Sequence, residues 1–277
     1  LPESWSEDRG RGRAAGIPNE VVYRPKWQIA LELFDRARGN GLTFDWLTFD
    51  EGYGSKPLFL QGLDDRGQLF VAEVPVTFSC WSEAPPVAHR PYRRGGRGRS
   101  RKTPRLRCDA PAPMSVKDLL KHSPALRDQP WVRYHVKDGQ KGPMVWETKH
   151  TRIVMKNAAG LPGIELHLVV ARNVLDPNEV KFFVSNAPPK TKVSTLLLVA
   201  FSRWRVERCF QDQKQEVGLD QWEGRTWQGL RRHLILTCVS YLFLARVREK
   251  LRGGKTGIDR VPGPRCRGRA GAVLVAG

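Results

Sequence analysis

The residues whose types and spacing could do chemistry lie in the segment from Ser202 to Val217. The segment contains no proline or internal glycine, and Gly218 stands where a helix would end, so we predict a helix here. Arg203, Glu207 and Lys214 are offset by four, seven and eleven residues. At about 100° per residue, these offsets place all three on one narrow stripe of the helix. One carboxylate would then lie between two cations on a rigid element.

The stripe has two readings. On the residues alone, a charged helix of this kind is a solvated face with i,i+4 and i,i+7 charge pairs. Val206, Phe210 and Val217 lie beside the stripe and predict an apolar flank that packs on a core. The alternative reading is a carboxylate positioned for catalysis, which needs support from a larger motif.

A larger motif is present, and it resembles the C-terminal signature of the DDE transposases of bacterial insertion sequences. It reads Arg-Trp-x-Val-Glu-x2-Phe-x3-Lys-x-Glu-x-Gly-Leu-Asp from Arg203 to Asp220, followed by Arg-x-Trp-x-Gly-x2-Arg-His from Arg225 to His233. In that family a Tyr-x2-Arg-x3-Glu-x6-Lys string carries the third acidic residue of the active site. Ala200 stands at the tyrosine position in this chain.

The resemblance implies a metal-dependent nuclease site. Glu207 would be a catalytic, metal-binding carboxylate, with Arg203 and Lys214 near the transferred phosphate and the DNA end. The intact family member holds two Mg2+ (or Mn2+) ions, and two such ions about 4 Å apart stabilise the attacking and leaving oxygens of an in-line displacement. Because Mg2+ takes hard oxygen ligands in octahedral geometry, acidic side chains from separate elements must converge.

Asp50 is the second candidate carboxylate. It follows the apolar, β-rich run Leu42–Phe49 and opens the glycine-rich turn up to Gly54, so it is predicted at the carboxyl end of a buried strand, where open α/β sheets place their chemistry. An Asp before such a turn is more often a turn former or N-cap than a catalyst. However, Asp-x-x-Tyr-Gly resembles the second acidic position of the DDE transposases, which implies that Asp50 is catalytic and binds metal. Asp45 has the opposite strand parity and should face away.

The family's first catalytic Asp lies upstream of a string that Leu1–Trp5 resembles. We therefore expect a fragment of an RNase H-like fold that lacks the first catalytic Asp and the first strands, and that is inactive unless another polypeptide supplies them. The alternative is a non-catalytic basic DNA-binding remnant. Loss of these strands would expose a sheet edge and reduce solubility.

The charge balance predicts a polyanionic partner. The chain has 277 residues with 47 Lys and Arg against 28 Asp and Glu, which gives a formal net charge of +19, and nucleic acid is the commonest partner of such a chain. The resemblance implies double-stranded DNA, at the ends of the insertion sequence and at the target, bound by a homodimer. An unrelated RNA-binding or ribosome-associated protein is a third reading, but no RNP-type aromatic strand or GXXG clamp supports it.

A basic run from Pro85 to Cys108 contains no acidic residue and cannot build a core. It is a solvated loop that would order on a phosphate backbone. The residues assigned to phosphate binding in it are Arg90, Arg93, Arg94, Arg97, Arg99, Arg101 and Lys102.

The five cysteines are scattered without C-x-x-C spacing, which indicates a reducing compartment and no structural zinc. The longest apolar run is interrupted and too short to cross a bilayer, and no signal peptide is visible at the start. We expect a protein of the bacterial cytoplasm, associated with the nucleoid and not with a membrane.

The predicted fold class is α/β, a partial RNase H-like catalytic fold with a mostly β insertion domain. Helices are expected over 25–37, 57–64, 115–122, 191–201 and 231–250, and strands over 42–50, 68–77, 132–137, 145–150, 151–155, 164–171 and 181–186, with the first two strands parallel. The predicted segments are a partial core at 1–79, a basic loop and β-rich insertion at 80–189, the C-terminal helices of the core at 190–252, and a disordered tail at 253–277.

Overall fold

The computed structural model describes residues 3–88, 103–139, 142–251 and 272–276. Its helices are α1 (Glu3–Glu7), α2 (Arg9–Ala14), α3 (Lys26–Gly39), α4 (Glu51–Gly54), α5 (Pro57–Asp64), α6 (Val116–His122), α7 (Pro124–Arg127), α8 (Val193–Ala200), α9 (Trp204–Val217) and α10 (Trp227–Leu251). Its strands are β1 (Phe44–Phe49), β2 (Phe70–Val74), β3 (Ser79–Trp81), β4 (Val87–Ala88), β5 (Arg105–Leu106), β6 (Met114–Ser115), β7 (Val132–Gly139), β8 (Gly142–Lys156), β9 (Pro162–Asn173), β10 (Val180–Ser185) and β11 (Ala272–Ala276). The predicted α/β class is confirmed.

The chain forms two compact units. The first consists of Leu1–Ala30 and Trp204–Ala270, and the second of Leu31–Arg203 and Gly271–Gly277. This division groups the chain differently from the four predicted segments, because Leu1–Ala30 belongs with Trp204–Ala270 and Gly271–Gly277 belongs with Leu31–Arg203.

The second unit is built on a mixed sheet with the order β11-β1-β2-β10-β9-β8-β3-β6, and β7 pairs with β8. β1 runs parallel to β2, which confirms the predicted β-α-β arrangement. Both strands are buried at Leu47–Phe49 and Phe70–Ala72, as expected for parallel strands covered on two faces. The carboxyl end of β1 is therefore held inside a sheet by its neighbours.

The β-rich segment continues this same sheet, because β10 pairs antiparallel with β2. The two strands predicted at 145–150 and 151–155 are one strand, β8, which pairs with β9 along most of its length. The prediction of two strands there is wrong. The chain has no glycine, proline or other turn residue around the junction of His150 and Thr151 that would end a strand.

Helix α8 and an aromatic cluster pack against the sheet. On one face, Leu196, Leu197 and Val199 of α8 pack with Val71 of β2 and Phe183 of β10. Elsewhere an aromatic group surrounds the end of β1, where the ring of Phe49 lies 5.0 Å from that of Phe59 and 5.8 Å from that of Phe70. Burying an aliphatic or aromatic side chain of this size contributes about 1.5–3 kcal/mol, so these contacts anchor β1 firmly.

β11 corrects one expectation. A disordered tail was predicted over 253–277. Residues 272–276 instead form a strand parallel to β1, with Phe49 paired to Ala276, so β1 has a hydrogen-bonded neighbour on each side. The continuously apolar sequence Ala-Val-Leu-Val-Ala contains two β-branched valines, which favour this pairing. Residues 252–271 lie outside the described part of the chain.

The first unit contains α1, α2, α9 and α10. α9 ends as predicted at Gly218, which has a φ of 67° that glycine adopts without strain. α9 meets α10 through a polar seam, in which the buried amide of Gln213 receives a hydrogen bond from the thiol of Cys238 at 3.6 Å. Phe210 of the predicted apolar flank is exposed instead, so that part of the prediction is wrong.

Within the residues that the structure describes, no helix combines the length and apolar character that crossing a membrane requires.

Candidate active site

Asp50 lies directly after β1 and caps α4. Its Oδ1 accepts a hydrogen bond from the backbone N–H of Gly52 at 2.9 Å, with extended backbone at φ −83° and ψ −178°. The capping role considered from the sequence is therefore present. It occupies one carboxylate oxygen and leaves the charge in place, so it orients the side chain without excluding a second role.

The pKa of Tyr53 is affected by burial and by the negative charge of Asp50. The pKa of its phenol is raised, first by burial and then by the negative charge of Asp50. Its ring also lies 5.3 Å from that of Phe59. The turn that carries Asp50 is thus fixed by aromatic packing as well as by its backbone hydrogen bonds.

Close packing on β2 explains why the last residue of the Asp-x-x-Tyr-Gly motif, Gly54, is a glycine. A Cβ atom at this position would overlap the carbonyl oxygen of Glu73 in β2. Only glycine lets α4 approach the backbone of β2 this closely. The motif therefore serves to place the turn after Asp50 against the neighbouring strand.

Glu73 is a residue that the sequence reasoning missed. Phe49 pairs with Ala72 in parallel register, so Asp50, one residue further, lies level with Glu73. The Glu73 side chain is 13% exposed and forms ion pairs with Lys181 at 2.8 Å and with Arg203 at 3.8 Å. An acidic residue inside the buried strand Phe-Val-Ala-Glu-Val was the signal, because a buried carboxylate needs partners.

Arg203 does not belong to the predicted helical stripe. α8 ends at Ala200, where the Lys137 ammonium donates to the carbonyl of Phe201 at 2.6 Å and the Ser202 hydroxyl donates to that of Val199 at 2.7 Å. These bonds satisfy the last carbonyls of α8 and stabilise a turn. α9 therefore begins at Trp204 and not at Ser202, and Arg203 faces Glu73.

Glu207 and Lys214 both lie on α9 with exposed side chains. They belong to the first unit, whereas Asp50 and Arg203 belong to the second. The structure thus keeps Glu207 and Lys214 on α9, whereas Arg203 precedes the first residue of this helix.

A metal centre needs convergent ligands. Across residues 3–88, 103–139, 142–251 and 272–276, no three or more His, Cys, Asp or Glu side chains group together so that they could hold a metal ion. The described carboxylates therefore do not by themselves fit a complete two-metal site.

The phosphate-binding residues predicted in the basic run, Arg90 to Lys102, lie outside the described residues. The structure describes the base of the run, where Val87 pairs with Leu106 and Ala88 with Arg105 in the β4–β5 ladder. The two ends of the run are thereby held side by side.

Comparison with known proteins gives one family. A sequence model described as DDE superfamily endonuclease matches residues 1–143, which is just over half of the 277 residues. The matched span includes Asp50 and Glu73 and ends before Glu207. No curated protein matches the chain.

Proposed function

Because the chain belongs to the DDE superfamily endonucleases, we propose that it is the transposase of an insertion sequence, which acts in DNA cleavage and strand transfer. The family implies a DNA substrate and generally uses divalent metal ions. One observation carries the proposal: the family match includes Asp50 at the carboxyl end of a buried parallel strand, in a turn that Gly54 seats against β2.

The proposed roles follow the motifs. Asp50 and Glu207 are the catalytic carboxylates that would bind Mg2+ or Mn2+, and Lys214 contacts the phosphate at the DNA end. Arg203 reaches the phosphate only if its interaction with Glu73, at 3.8 Å, opens. The basic run around Arg90–Lys102 binds the DNA backbone, and the protein acts as a homodimer on DNA.

We further propose that this chain by itself does not cleave DNA. Two carboxylates are too few for a pair of metal ions, each of which takes about six ligands, several of them from the protein or the substrate. Among the described residues, no group of three or more His, Cys, Asp or Glu side chains could hold a metal ion. This observation favours the second candidate function, a basic DNA-binding protein that occupies DNA without cutting it.

One set of variants distinguishes the two functions. Asp50→Asn and Glu207→Gln remove the two carboxylates, while Asp45→Asn on the same strand and Glu216→Gln on the same helix are matched controls. Duplex binding is measured by fluorescence anisotropy, and cleavage by gel electrophoresis with Mg2+ or Mn2+. We expect all five proteins to bind DNA and none to cleave it.

Other outcomes have definite meanings. Cleavage by the unmodified chain that Asp50→Asn and Glu207→Gln abolish, but the controls retain, would establish a complete nuclease and overturn the proposed inactivity. Cleavage that survives both substitutions would overturn the site assignment. Failure of every protein to bind duplex DNA would overturn both candidate functions.

A further inference from the structure

The first unit contains a cavity that the proposed function does not use. It has a volume of about 810 Å3, within the range of about 300–1,000 Å3 typical of ligand sites. It lies between the N-terminal segment and the loop that leads into α10. The lining side chains that matter here are Trp5, Arg11, Ile17, Trp222, Arg225 and Trp227.

The two walls of the cavity are joined by the backbone. The N–H of Trp227 donates to the carbonyl of Ala15 at 2.8 Å. Ile17 is buried at the base of the same wall, and Asp8 caps α2 by accepting from the N–H of Arg11 at 2.9 Å. The cavity is therefore a formed feature of this unit and not a gap between loose segments.

The indole ring of Trp222 packs closely against two glycines. A Cβ atom at Gly224 or at Gly229 would overlap its indole ring, and the ring of His233 lies 5.5 Å from it. Gly229 and His233 belong to the Arg225–His233 part of the motif, to which the proposed reaction assigns no role. Their spacing holds an indole ring at the wall of the cavity.

The cavity combines aromatic surfaces with cations. The guanidinium of Arg11 lies 4.0 Å from the centre of the Trp5 ring, and Arg225 is exposed at the same cavity. Indole rings and guanidinium planes are the groups on which nucleic-acid bases stack. The two arginines also supply positive charge for a phosphate.

A buried donor lacks a partner at this place. The indole Nε1 of Trp227 is buried and makes no hydrogen bond with the part of the chain that the structure describes. Buried polar groups are normally satisfied. Trp227 also lines the cavity, but its Nε1 has almost no accessible surface, so a ligand would meet the indole rings and the two arginines rather than this N–H.

We propose that this cavity binds one unstacked nucleobase of DNA, with its phosphate held by Arg11 and Arg225. A base in an intact duplex is stacked on its neighbours, so it must leave the stack before it can reach such a pocket. The proposal rests on DNA as the substrate class of the proposed function. It does not depend on cleavage by Asp50 and Glu207.

The test uses the full chain without divalent metal, so that cleavage cannot interfere. Two labelled duplexes are compared, one fully paired and one with a single unpaired 2-aminopurine. We expect the second duplex to bind about ten-fold more tightly, because stacking one base on an aromatic side chain contributes about 1–3 kcal/mol. The 2-aminopurine fluorescence should also change on binding. Trp222→Leu and Arg11→Ala should abolish the preference and leave binding to the paired duplex within about two-fold.

Matched controls are available nearby. Arg13→Ala removes the same charge two residues from Arg11, and Trp204→Leu removes an exposed indole of the same unit; neither residue lines the cavity, and both variants should keep the preference. Circular dichroism checks that each variant folds. The fluorescence change is measured on the unmodified protein, so it tests base binding even if a variant does not fold.

Equal binding of the two duplexes, or a preference that survives both substitutions, would overturn the base-binding proposal alone. A preference that Arg13→Ala or Trp204→Leu abolishes as well would also overturn it. Absence of binding to either duplex would instead overturn the proposed DNA-binding function.

Discussion

Gly54 is the residue on which the geometry of the candidate site depends most directly. It closes the turn that begins at Asp50, and its Cα rests on the backbone of β2 at Glu73. A side chain there would meet a carbonyl oxygen that cannot rotate away. The position of Asp50 relative to β2 is thus set by a glycine four residues further along the chain.

Gly54→Ala should destabilise the protein. The added methyl group forces α4 away from β2, and overpacking of this kind costs typically about 1–3 kcal/mol. Thermal unfolding followed by circular dichroism measures the effect as a lower Tm. Gly39→Ala is the matched control, because a Cβ atom there meets nothing within 4 Å. An unchanged Tm in Gly54→Ala would contradict the close packing of α4 on β2.

At the scale of elements, a histidine pair links β8 to β9. The Nε2 of His150 lies 2.8 Å from the Nδ1 of His167, and the Nε2 of His167 lies 3.1 Å from the carbonyl oxygen of Ala187. Since a carbonyl can only accept, His167 donates from Nε2 and accepts at Nδ1 from His150. The contact needs an acceptor nitrogen on one of the two rings, so protonation of both rings would place two N–H groups against each other and break it.

The pair predicts acid sensitivity. Burial, followed by the neighbouring His167 and Arg152, lowers the pKa of His150 to about 4, and burial lowers the pKa of His167. The unfolded chain binds protons near pH 6.5, so the unfolded state holds more protons between that pH and about 4. Stability should therefore be fully present above pH 6.5 and fall as the pH decreases towards 4.

Chemical denaturation at pH 7.0 and pH 5.0 measures this dependence. We expect a loss of about 1–2 kcal/mol, less than a fully buried pair would give, because partial exposure screens the charge. His150→Gln, which keeps a donor to His167 but does not titrate, should flatten the dependence. His122→Gln, at an exposed histidine of α6, should leave it unchanged. Equal slopes in the two variants would show that the pair does not cause the effect.

At the scale of the whole molecule, we expect the excess of positive charge to govern the proposed association with DNA. Several of the acidic side chains are already committed to ion pairs within the fold, among them Asp35, Glu73 and Glu147. The net charge of +19 therefore acts mainly through cations that remain on the surface and in the basic run. Each phosphate that they neutralise on B-DNA contributes about 0.9 to the slope of log K against log salt.

Neutralising part of the basic run should flatten that slope. The variant Arg97→Gln, Arg99→Gln, Arg101→Gln removes three charges, so the slope should decrease by up to about 2.7 if each contacts one phosphate. Anisotropy titrations at several salt concentrations measure it. The matched variant Arg246→Gln, Arg248→Gln, Lys250→Gln on α10 should retain the original slope. Equal flattening in both variants would argue against a localised DNA contact in the run.

Local features of the fold were predictable from the sequence. The bounds of α5 agree with the prediction at both ends, because Pro57 suits the first turn of a helix and an apolar run follows it. The parallel pairing of β1 and β2 followed from two apolar runs around a short helix. The position of Asp50 at the carboxyl end of β1 followed from the same pattern, whereas its catalytic role stays a prediction.

By itself, the sequence determined the longer helices and strands, the charge of the molecule and the motifs that resemble its family, because these depend on neighbours within a few residues. Only the tertiary structure decided which distant residues meet. Arg203 pairs with Glu73, β11 pairs with β1, and the backbone of Trp227 bonds to Ala15. These contacts join parts of the chain more than a hundred residues apart, and no periodicity in the sequence encodes them, since they depend on how buried surfaces and unpaired hydrogen-bonding groups are satisfied together.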